Sequence, residues 1–184
     1  MISEPQALAQ LTSMLDNPNL IKHCLAVQAA MLHYAQHFQI PPSEQIEWGI
    51  AGLLHDADWE KFPDQHPQVI IQWLKDQNAS STLINAVASH GFQFSEPPQS
   101  LMAHTIRAVD ELTGLITAVA LVKGRSLANV TAESVMKKFP ETKFASGVNR
   151  QDIIQGAQEI NMTLQEHIQH VLTAMQQISA KLEL

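Results

Sequence analysis

Apolar residues recur along this chain with the spacing of amphipathic helices, and the alternation typical of strands is nearly absent. Short breaks that contain proline, glycine or asparagine separate the apolar segments, and such residues end helices. Serine or threonine precedes several segments, in the position from which these side chains cap a helix. The pattern therefore predicts helices at about 3–16, 20–38, from 43 to no further than 62, 68–76, 81–90, 100–122, 132–139, 150–160 and from 163 onward.

This series of helices predicts an all-α fold. No heptad pattern persists long enough for a coiled coil, so we expect a compact, irregular helical bundle. The chain has 184 residues, 45% of them hydrophobic, which suits one domain with a buried core. We expect residues 1–184 to form that domain, with the helices of 131–184 packed on a central part at about 20–122. The sequence leaves the oligomeric state open.

Charge and cysteine content bear on the partners and the compartment. The formal net charge of -7 argues against a nucleic-acid groove or an anionic membrane surface as the main partner. The most apolar run, at 112–122, is too short to span a bilayer, and the first residues do not resemble a signal peptide. The single cysteine, Cys24, cannot form an internal disulfide and suits a reducing compartment. We therefore expect a cytoplasmic protein that binds neither nucleic acid nor membrane.

Three predicted helices carry ligand-type side chains among apolar neighbours. An apolar run leads directly into His55 and Asp56, and His23 lies on an apolar stripe of the second helix. Asp110 interrupts the mostly apolar run at 106–122. A buried imidazole or carboxylate normally requires a partner or a metal. His55 could instead cap its helix end and His23 could be an ordinary core histidine, but the four residues together predict one shared site.

The order of these residues, a histidine, then an adjacent His-Asp pair, then an aspartate on a later helix, resembles the HD-domain superfamily of metal-dependent phosphohydrolases. The likeness covers the region at about 20–122. Within it, the segments GLLHD at 52–56, SHG at 89–91 and AVDELTG at 108–114 resemble the small bacterial subgroup described as HDIG-type proteins.

The resemblance implies the helical HD-type fold and a bound divalent metal ion. It assigns that ion to the residues that match the family's pattern, His23, His55, Asp56 and Asp110. After Asp56 the chain continues with Ala57-Asp58-Trp59 and departs from the Ile-Gly of the HDIG pattern. The resemblance therefore carries over the metal ligands but no particular substrate.

The predicted ligands also bear on the identity and number of ions. Imidazole and carboxylate together suit Mn²⁺, Fe²⁺, Co²⁺, Ni²⁺ or Zn²⁺ and, less well, Mg²⁺. In binuclear members of the superfamily further histidines hold a second ion, and His66, His90 and His104 lie in the matching interval. His90 is the strongest of these because it precedes Gly91, where a substrate can approach the backbone closely. We include His90 among the predicted metal ligands, and we expect one ion rather than two.

Two further histidine pairs have helical spacings that can hold zinc. They are His33 with His37 and His167 with His170. Neither pair has carboxylates on a nearby apolar face, so the sequence favours a solvated helix surface for both.

Four residues near the predicted ligands are candidates for catalysis or substrate binding. Asp58 and Glu60 follow the His-Asp pair, and each could act as a general base or hold a metal-bound imidazole in place. Lys61 follows the same helix and Arg107 lies nearly one turn before Asp110, so both are predicted to contact phosphate.

The buried ligand set, together with the resemblance to the HD-domain superfamily, implies a metal-dependent hydrolase that acts on a small phosphorylated molecule, such as a nucleotide. A bound metal would lower the pKa of its water from about 15.7 to about 7 and polarise the phosphoryl group, so no protein nucleophile is needed. Two alternatives stay open. One is a di-iron oxygenase, because the superfamily scaffold resembles that of inositol-type oxygenases. The other is a non-catalytic sensor or partner-binding domain that keeps a metal for stability.

Overall fold

The computed structural model describes residues 2–184, and every regular element within that range is helical. The predicted all-α fold is therefore confirmed. The first helices are Glu4–Met14 (α1), Pro18–His37 (α2), Pro42–Leu54 (α3), Gln68–Asp76 (α4) and Ser81–Ala88 (α5). The later helices are Leu101–Val122 (α6), Ala132–Lys138 (α7), Arg150–Glu159 (α8), Leu164–Gln177 (α9) and Ser179–Leu182 (α10). Single 3₁₀ turns lie at Pro63–Gln65 and Leu127–Asn129.

Side-chain caps set the starts of several helices. Ser3 and Thr163 each form a capping box, at the starts of α1 and α9 respectively. Ser100 accepts a hydrogen bond from the backbone N–H of Ala103, which fixes the start of the long helix α6. These caps explain why the predicted and observed starts of α1, α6 and α9 agree within one or two residues.

The helix that leads into the His-Asp pair ends well before Phe62, the latest end that the sequence allows. α3 stops at Leu54, and residues 55–61 form a run of turns. The backbone N–H of His55 still bonds to the carbonyl of Ala51, so the pair stands on the final turn of the helix. Because the chain turns after this point, the side chains that follow do not keep the spacing of α3.

α2 lies at the centre of the packing and contacts α3, α6 and α9. Its approach to α3 is unusually close at Gly52. A Cβ atom at this position would lie 2.8 Å from both the backbone N and the Cα of Gln28 in α2. Only glycine fits there, and the close contact holds the end of α3, with its His-Asp pair, against the middle of α2.

The helices of the last third of the chain pack on α2 and α6. α8 lies against α6, where a Cβ at Gly156 would come within 2.5 Å of the Cα of Ala108. α9 contacts α2, α6, α7 and α8. Both contacts hold α6 firmly, and α6 is the helix that carries Asp110.

Two further observations concern the cysteine and the length of the apolar helices. Cys24 is free and buried in α2, next to His23 in the sequence. Among residues 2–184, no helix combines the length and the apolar composition that crossing a bilayer requires.

Candidate metal centre

Five segments of the chain bring six ligand-type side chains to one place. α2 contributes one histidine, the turn after α3 a histidine and an aspartate, the loop before α4 and the turn after α5 one histidine each, and α6 an aspartate. These six side chains, called the six-residue cluster below, are His23, His55, Asp56, His66, His90 and Asp110.

His23, His55 and Asp110 form one compact group of ligand atoms, called the first group below. Nε2 of His23 lies 3.2 Å from Nε2 of His55. Oδ1 of Asp110 lies 3.0 Å from Nε2 of His23 and 3.5 Å from Nε2 of His55. The atoms are close enough together for a single ion to contact all of them, so this group could hold a metal.

A second group lies on the other side of Asp56. Nε2 of His66 and Nε2 of His90 are 3.3 Å apart, and Oδ1 of Asp56 lies 3.3 Å from the first and 3.4 Å from the second. The other oxygen of Asp56, Oδ2, faces the first group, 3.7 Å from His23 and 3.6 Å from His55. One carboxylate therefore points one oxygen at each group.

Hydrogen bonds at the opposite ring nitrogen orient the histidines of the first group. Nδ1 of His55 donates to the backbone carbonyl of Gly52 at 2.8 Å. Nδ1 of His23 lies 3.3 Å from the Thr113 hydroxyl, which donates its own proton to the carbonyl of Asp110 and therefore accepts from the ring. Both contacts place a proton on Nδ1 and leave the lone pair on Nε2, where a metal would bind.

The second group is oriented in the same way. Nδ1 of His90 donates to the carbonyl of Val87 at 2.6 Å, and Nδ1 of His66 donates to Oδ1 of Asp58 at 2.6 Å. Asp58 is fully buried, and its other oxygen accepts the backbone N–H of Ile70. A carboxylate behind a ligand histidine raises the basicity of the ring and fixes its tautomer.

The donor set fits divalent metal ions. Neutral imidazoles held in this way would point two Nε2 lone pairs at each other in each group, at 3.2 and 3.3 Å. Such pairs cannot hydrogen-bond to each other, so a cation or a proton is needed between them. Four imidazoles and two carboxylates offer the mixed nitrogen and oxygen ligands that first-row metals prefer.

The charges of the two aspartates change the protonation of the nearest histidine. Burial alone would lower the pKa of His55, but the carboxylates of Asp56 and Asp110 and the bonds to Asp110 and Gly52 raise it to about 9. The pKa of Asp110 lies well below its usual range, because His55 and His23 outweigh the opposing effect of burial. A metal that binds Nε2 of His55 must displace a proton, so metal binding should weaken as the pH falls.

Solvent reaches the cluster from one side. The side chains of His23, Asp56 and Asp110 are 22%, 20% and 21% exposed, whereas those of His55, His66 and His90 are buried. A substrate would therefore approach over the first three side chains.

The structure brings only some of the predicted catalytic residues to this place. Asp58 lies directly behind His66, and both of its oxygens accept hydrogen bonds there, which matches a positioning residue rather than a general base.

Glu60 and Lys61 point away from the cluster. Glu60 accepts the backbone N–H groups of Asp16 and Asn17 before α2. Lys61 donates to the carbonyl of Ser13 and pairs with Asp16. Neither Glu60 nor Lys61 has a polar contact with the six-residue cluster, because the turns after Leu54 direct both toward α1.

Arg107 has a distinct environment. Its guanidinium carbon lies 3.8 Å above the ring of Phe92, two residues after His90, and Nη1 lies 3.8 Å from Glu159. Its Nε is buried and has no hydrogen-bond partner among residues 2–184. The side chain is thus stacked beside the loop that leaves the second group, with donor capacity unused.

The remaining histidines lie outside the cluster. His104 pairs with Glu159 at 2.8 Å. The two helical pairs meet each other between α2 and α9, where Nε2 of His33 lies 2.9 Å from Nδ1 of His170.

His167 is buried rather than solvated. Tyr34 donates to its Nδ1, and its Nε2 donates to the carbonyl of Ala108. A solvated surface was therefore the wrong prediction for His167.

His66 is the member of the cluster that was a candidate for a second ion but was not among the predicted metal ligands. It lies in the loop before α4, where no helical periodicity indicates its direction. A signal was available in Asp58, an acid close to the apolar end of α3 that needs a partner if it is buried. His66 is the histidine that provides it.

Comparisons with known proteins agree with this geometry. The model of the family described as HD domain matches residues 20–115, which is just over half of the chain and contains all six residues of the cluster. No curated protein and no solved structure matches the chain. HD domains bind divalent metals and are in general metal-dependent phosphohydrolases. The chain belongs to the HD-domain family.

Proposed function

We propose that this protein is a phosphohydrolase that acts on a small phosphorylated molecule, with two divalent metal ions bound in the six-residue cluster. The observation that carries the proposal is the carboxylate of Asp56, which directs one oxygen to each group of ligand atoms. We propose two ions, whereas the sequence led us to expect one, because each group has two imidazoles and at least one carboxylate oxygen.

The side chains would divide the work as follows. His23, His55 and Asp110 would hold one ion, His66 and His90 the other, and Asp56 would be shared. When bound, the metal ions supply Lewis acidity toward a phosphoryl oxygen and lower the pKa of a coordinated water. The exposed faces of His23, Asp56 and Asp110 leave room for the phosphate. Asp58 would act as a positioning residue by keeping the ring of His66 aimed at the ion.

Arg107 is the cation that we assign to the substrate phosphate. Its stacking on Phe92 keeps the guanidinium beside the loop that follows His90, and its buried Nε lacks a partner in the described chain. A guanidinium fork suits a phosphate better than an ammonium does. Replacement by methionine should raise KM for phosphate esters by about tenfold and leave the metal content unchanged.

The test combines metal analysis with a substrate screen. Protein purified without added metal or chelator would be analysed for metal together with the variants His55→Ala and His90→Ala, and each would be screened against a panel of phosphate esters. We expect about two ions per chain in the parent, loss of metal in both variants and loss of any hydrolysis that the parent catalyses. Hydrolysis that persists in a metal-free variant would contradict the proposal.

A second candidate is the di-iron oxygenase that the sequence leaves open. The observation in its favour is again the pair of ligand groups sharing Asp56, since imidazole and carboxylate ligands suit iron. The oxygenase would be favoured over the hydrolase if the protein contained two irons per chain, consumed oxygen in the presence of a substrate and released no phosphate from any ester. Metal without either activity would favour a non-catalytic, metal-stabilised domain.

A further inference from the structure

A groove runs from the exposed side of the six-residue cluster along the start of α2 and the second half of α6. It encloses about 370 Å³, and His23 forms part of its wall. Further along, its lining includes Asn19, Lys22, Thr117, Arg125 and Leu182. Since His23 is among the accessible members of the cluster, a molecule bound at the metals can extend into this groove.

The groove carries positive charge on a protein with an overall negative charge. Lys22 and Arg125 both line it, and the only acid with a direct ion pair to either of them in the described chain is Glu183. Oε2 of Glu183 lies 2.5 Å from Nζ of Lys22. The side chain of Glu183 is 70% exposed, so this carboxylate sits at the outer edge of the groove and can leave it.

Glu183 is also held in an unusual backbone conformation. Its φ is 56°, in the left-handed region that favours glycine. The short helix α10 precedes it directly, and Leu182 of α10 lines the groove. The structure thus brings an anionic group of the chain itself to the cationic end of the groove.

We propose that the groove binds a second anionic group of the substrate, a carboxylate or a second phosphate, at Lys22 and Arg125, and that Glu183 occupies this place until the substrate arrives. The inference rests on the proposed function, because it assumes that a phosphate is bound at the metals. It narrows the substrate class to molecules with two separated anionic groups. The apolar part of the lining, Leu121, Leu182 and Leu184, suits a short carbon chain between the two anionic groups.

The larger cavity beside the cluster fits this role less well. It encloses about 510 Å³ between α4, α5 and the loop that follows, and its charged lining residues are one lysine and one glutamate, Lys75 and Glu96. Of the six residues of the cluster it reaches only His66, whose side chain is 2% exposed. A substrate bound there would have little access to the metals.

Binding of alkylphosphonates to the metal-loaded protein tests the inference without catalysis. Phosphonoacetate, 3-phosphonopropionate and 4-phosphonobutyrate hold a carboxylate at increasing distance from the phosphonate, and the n-alkylphosphonate of equal length is the control for each. We expect at least one carboxylated compound to bind about fivefold more tightly than its control by calorimetry, because two cations face the added charge.

Variants of the groove residues test whether the tighter binding of the carboxylated compounds depends on the groove. Lys22→Met should reduce it to less than about twofold, whereas Glu183→Gln should increase it by about twofold, since the competing charge is removed. Lys181→Met is the matched control, because Lys181 lies on α10 but does not line the groove. It should leave the preference unchanged.

The outcomes separate the two proposals. Equal binding of every carboxylated compound and its control would contradict the proposed anion site in the groove, without affecting the hydrolase proposal. The same holds if the preference for the carboxylated compound persists in both Lys22→Met and Arg125→Met. A lack of change in Glu183→Gln overturns the role of Glu183. If no phosphonate binds the metal-loaded protein at all, the phosphate site itself fails and the groove proposal fails with it.

Discussion

Two groups of histidines in this protein hold ring nitrogens at similarly short distances, yet their surroundings differ. The six-residue cluster contains four imidazoles and two carboxylates. The other group, called the α2–α9 histidines here, lies between those two helices and comprises His33, His37, His167 and His170. In both, ring nitrogens approach within about 3 Å of each other. The difference lies in what each ring bonds to.

In the six-residue cluster, Nδ1 of each histidine donates to a backbone carbonyl, a hydroxyl or Asp58, so the Nε2 lone pairs converge. Among the α2–α9 histidines, His33 and His170 bond to each other, and His167 is saturated by Tyr34 and the carbonyl of Ala108. Both ring nitrogens of His167 are therefore occupied, and the nitrogens of His33 and His170 that face each other are joined by a hydrogen bond. Close histidines therefore indicate a metal site only when their outward nitrogens have partners of their own.

The pKa values of buried histidines in the two groups are shifted in opposite directions. The carboxylates beside His55 overcome burial and raise its pKa to about 9. Burial lowers the pKa of His167 to about 4, and the bond to Ala108 opposes this only in part. One environment attracts a cation and the other excludes it.

The largest effect should come from Asp56, the residue that both ligand groups share. Asp56→Ala should remove most of the bound metal and lower any hydrolysis by at least about 10³-fold, because several kcal/mol of transition-state stabilisation depend on the ions. Metal analysis and initial rates measure both effects. His170→Ala, in the other histidine group, is the control and should retain metal and rate. Full activity in Asp56→Ala would remove the basis of the comparison.

The next effect is on stability and concerns His167. Its pKa is lower in the folded state than the usual 6.5, so the unfolded chain binds more protons between pH 6.5 and 4. Stability from this residue is complete above about pH 6.5 and falls as the pH approaches 4, by up to about 3 kcal/mol. Urea unfolding of metal-free protein at several pH values measures the slope.

His167→Gln provides the reference for that slope. The variant should be less stable at neutral pH, since the partners Tyr34 and Ala108 are less well satisfied, but its stability should fall less between pH 6.5 and 4. Parallel curves for the two proteins would mean that His167 does not titrate in this range.

A smaller effect should follow from removing the partner behind His66. Asp58→Asn should weaken metal binding about 10- to 100-fold, as is typical for a lost carboxylate behind a ligand histidine. Competition with a chelator of known affinity measures this. Asp64→Asn, an exposed acid in the same loop, is the matched control. Equal metal affinity in both variants would show that the bond to His66 does not support the site.

The smallest effect should come from His33. Its pKa is lowered by burial and by the neighbouring His170 and His37, and burial lowers the pKa of His170 as well, so two neutral rings are bonded to each other at pH 7. His33→Ala should leave the metal content unchanged and alter the unfolding free energy by about 1 kcal/mol. Elemental analysis of the variant beside the parent decides this, and loss of an ion would reveal a metal site between α2 and α9.

Much of the fold and part of the candidate site could be predicted from the sequence. Caps such as Ser100 and Thr163 act within one turn, so the starts of their helices can be predicted locally. His23 and Asp110 stand out because a polar side chain on an apolar helical stripe is visible by spacing. The assignment of residues 1–184 to one domain and of the chain to the HDIG subgroup stay predictions.

Residues beyond a helix end could not be placed in this way. The directions of Glu60 and Lys61 depend on the turns at 55–61, and no periodicity extends through turns. His66 reaches the cluster because its loop returns toward α3, which is a tertiary contact. The sequence therefore indicated ligands that lie on or next to helices and underestimated the one in a loop.

The contact at Gly52 has a consequence for the rate at which ions bind. Because α3 meets α2 backbone to backbone there, the position of His55 relative to α2 does not depend on flexible side chains. His23 and His55 of the first group are then in place before an ion arrives, and little movement of α3 against α2 should accompany capture. Loss of water from the incoming ion, rather than rearrangement of the protein, should limit how fast this site fills.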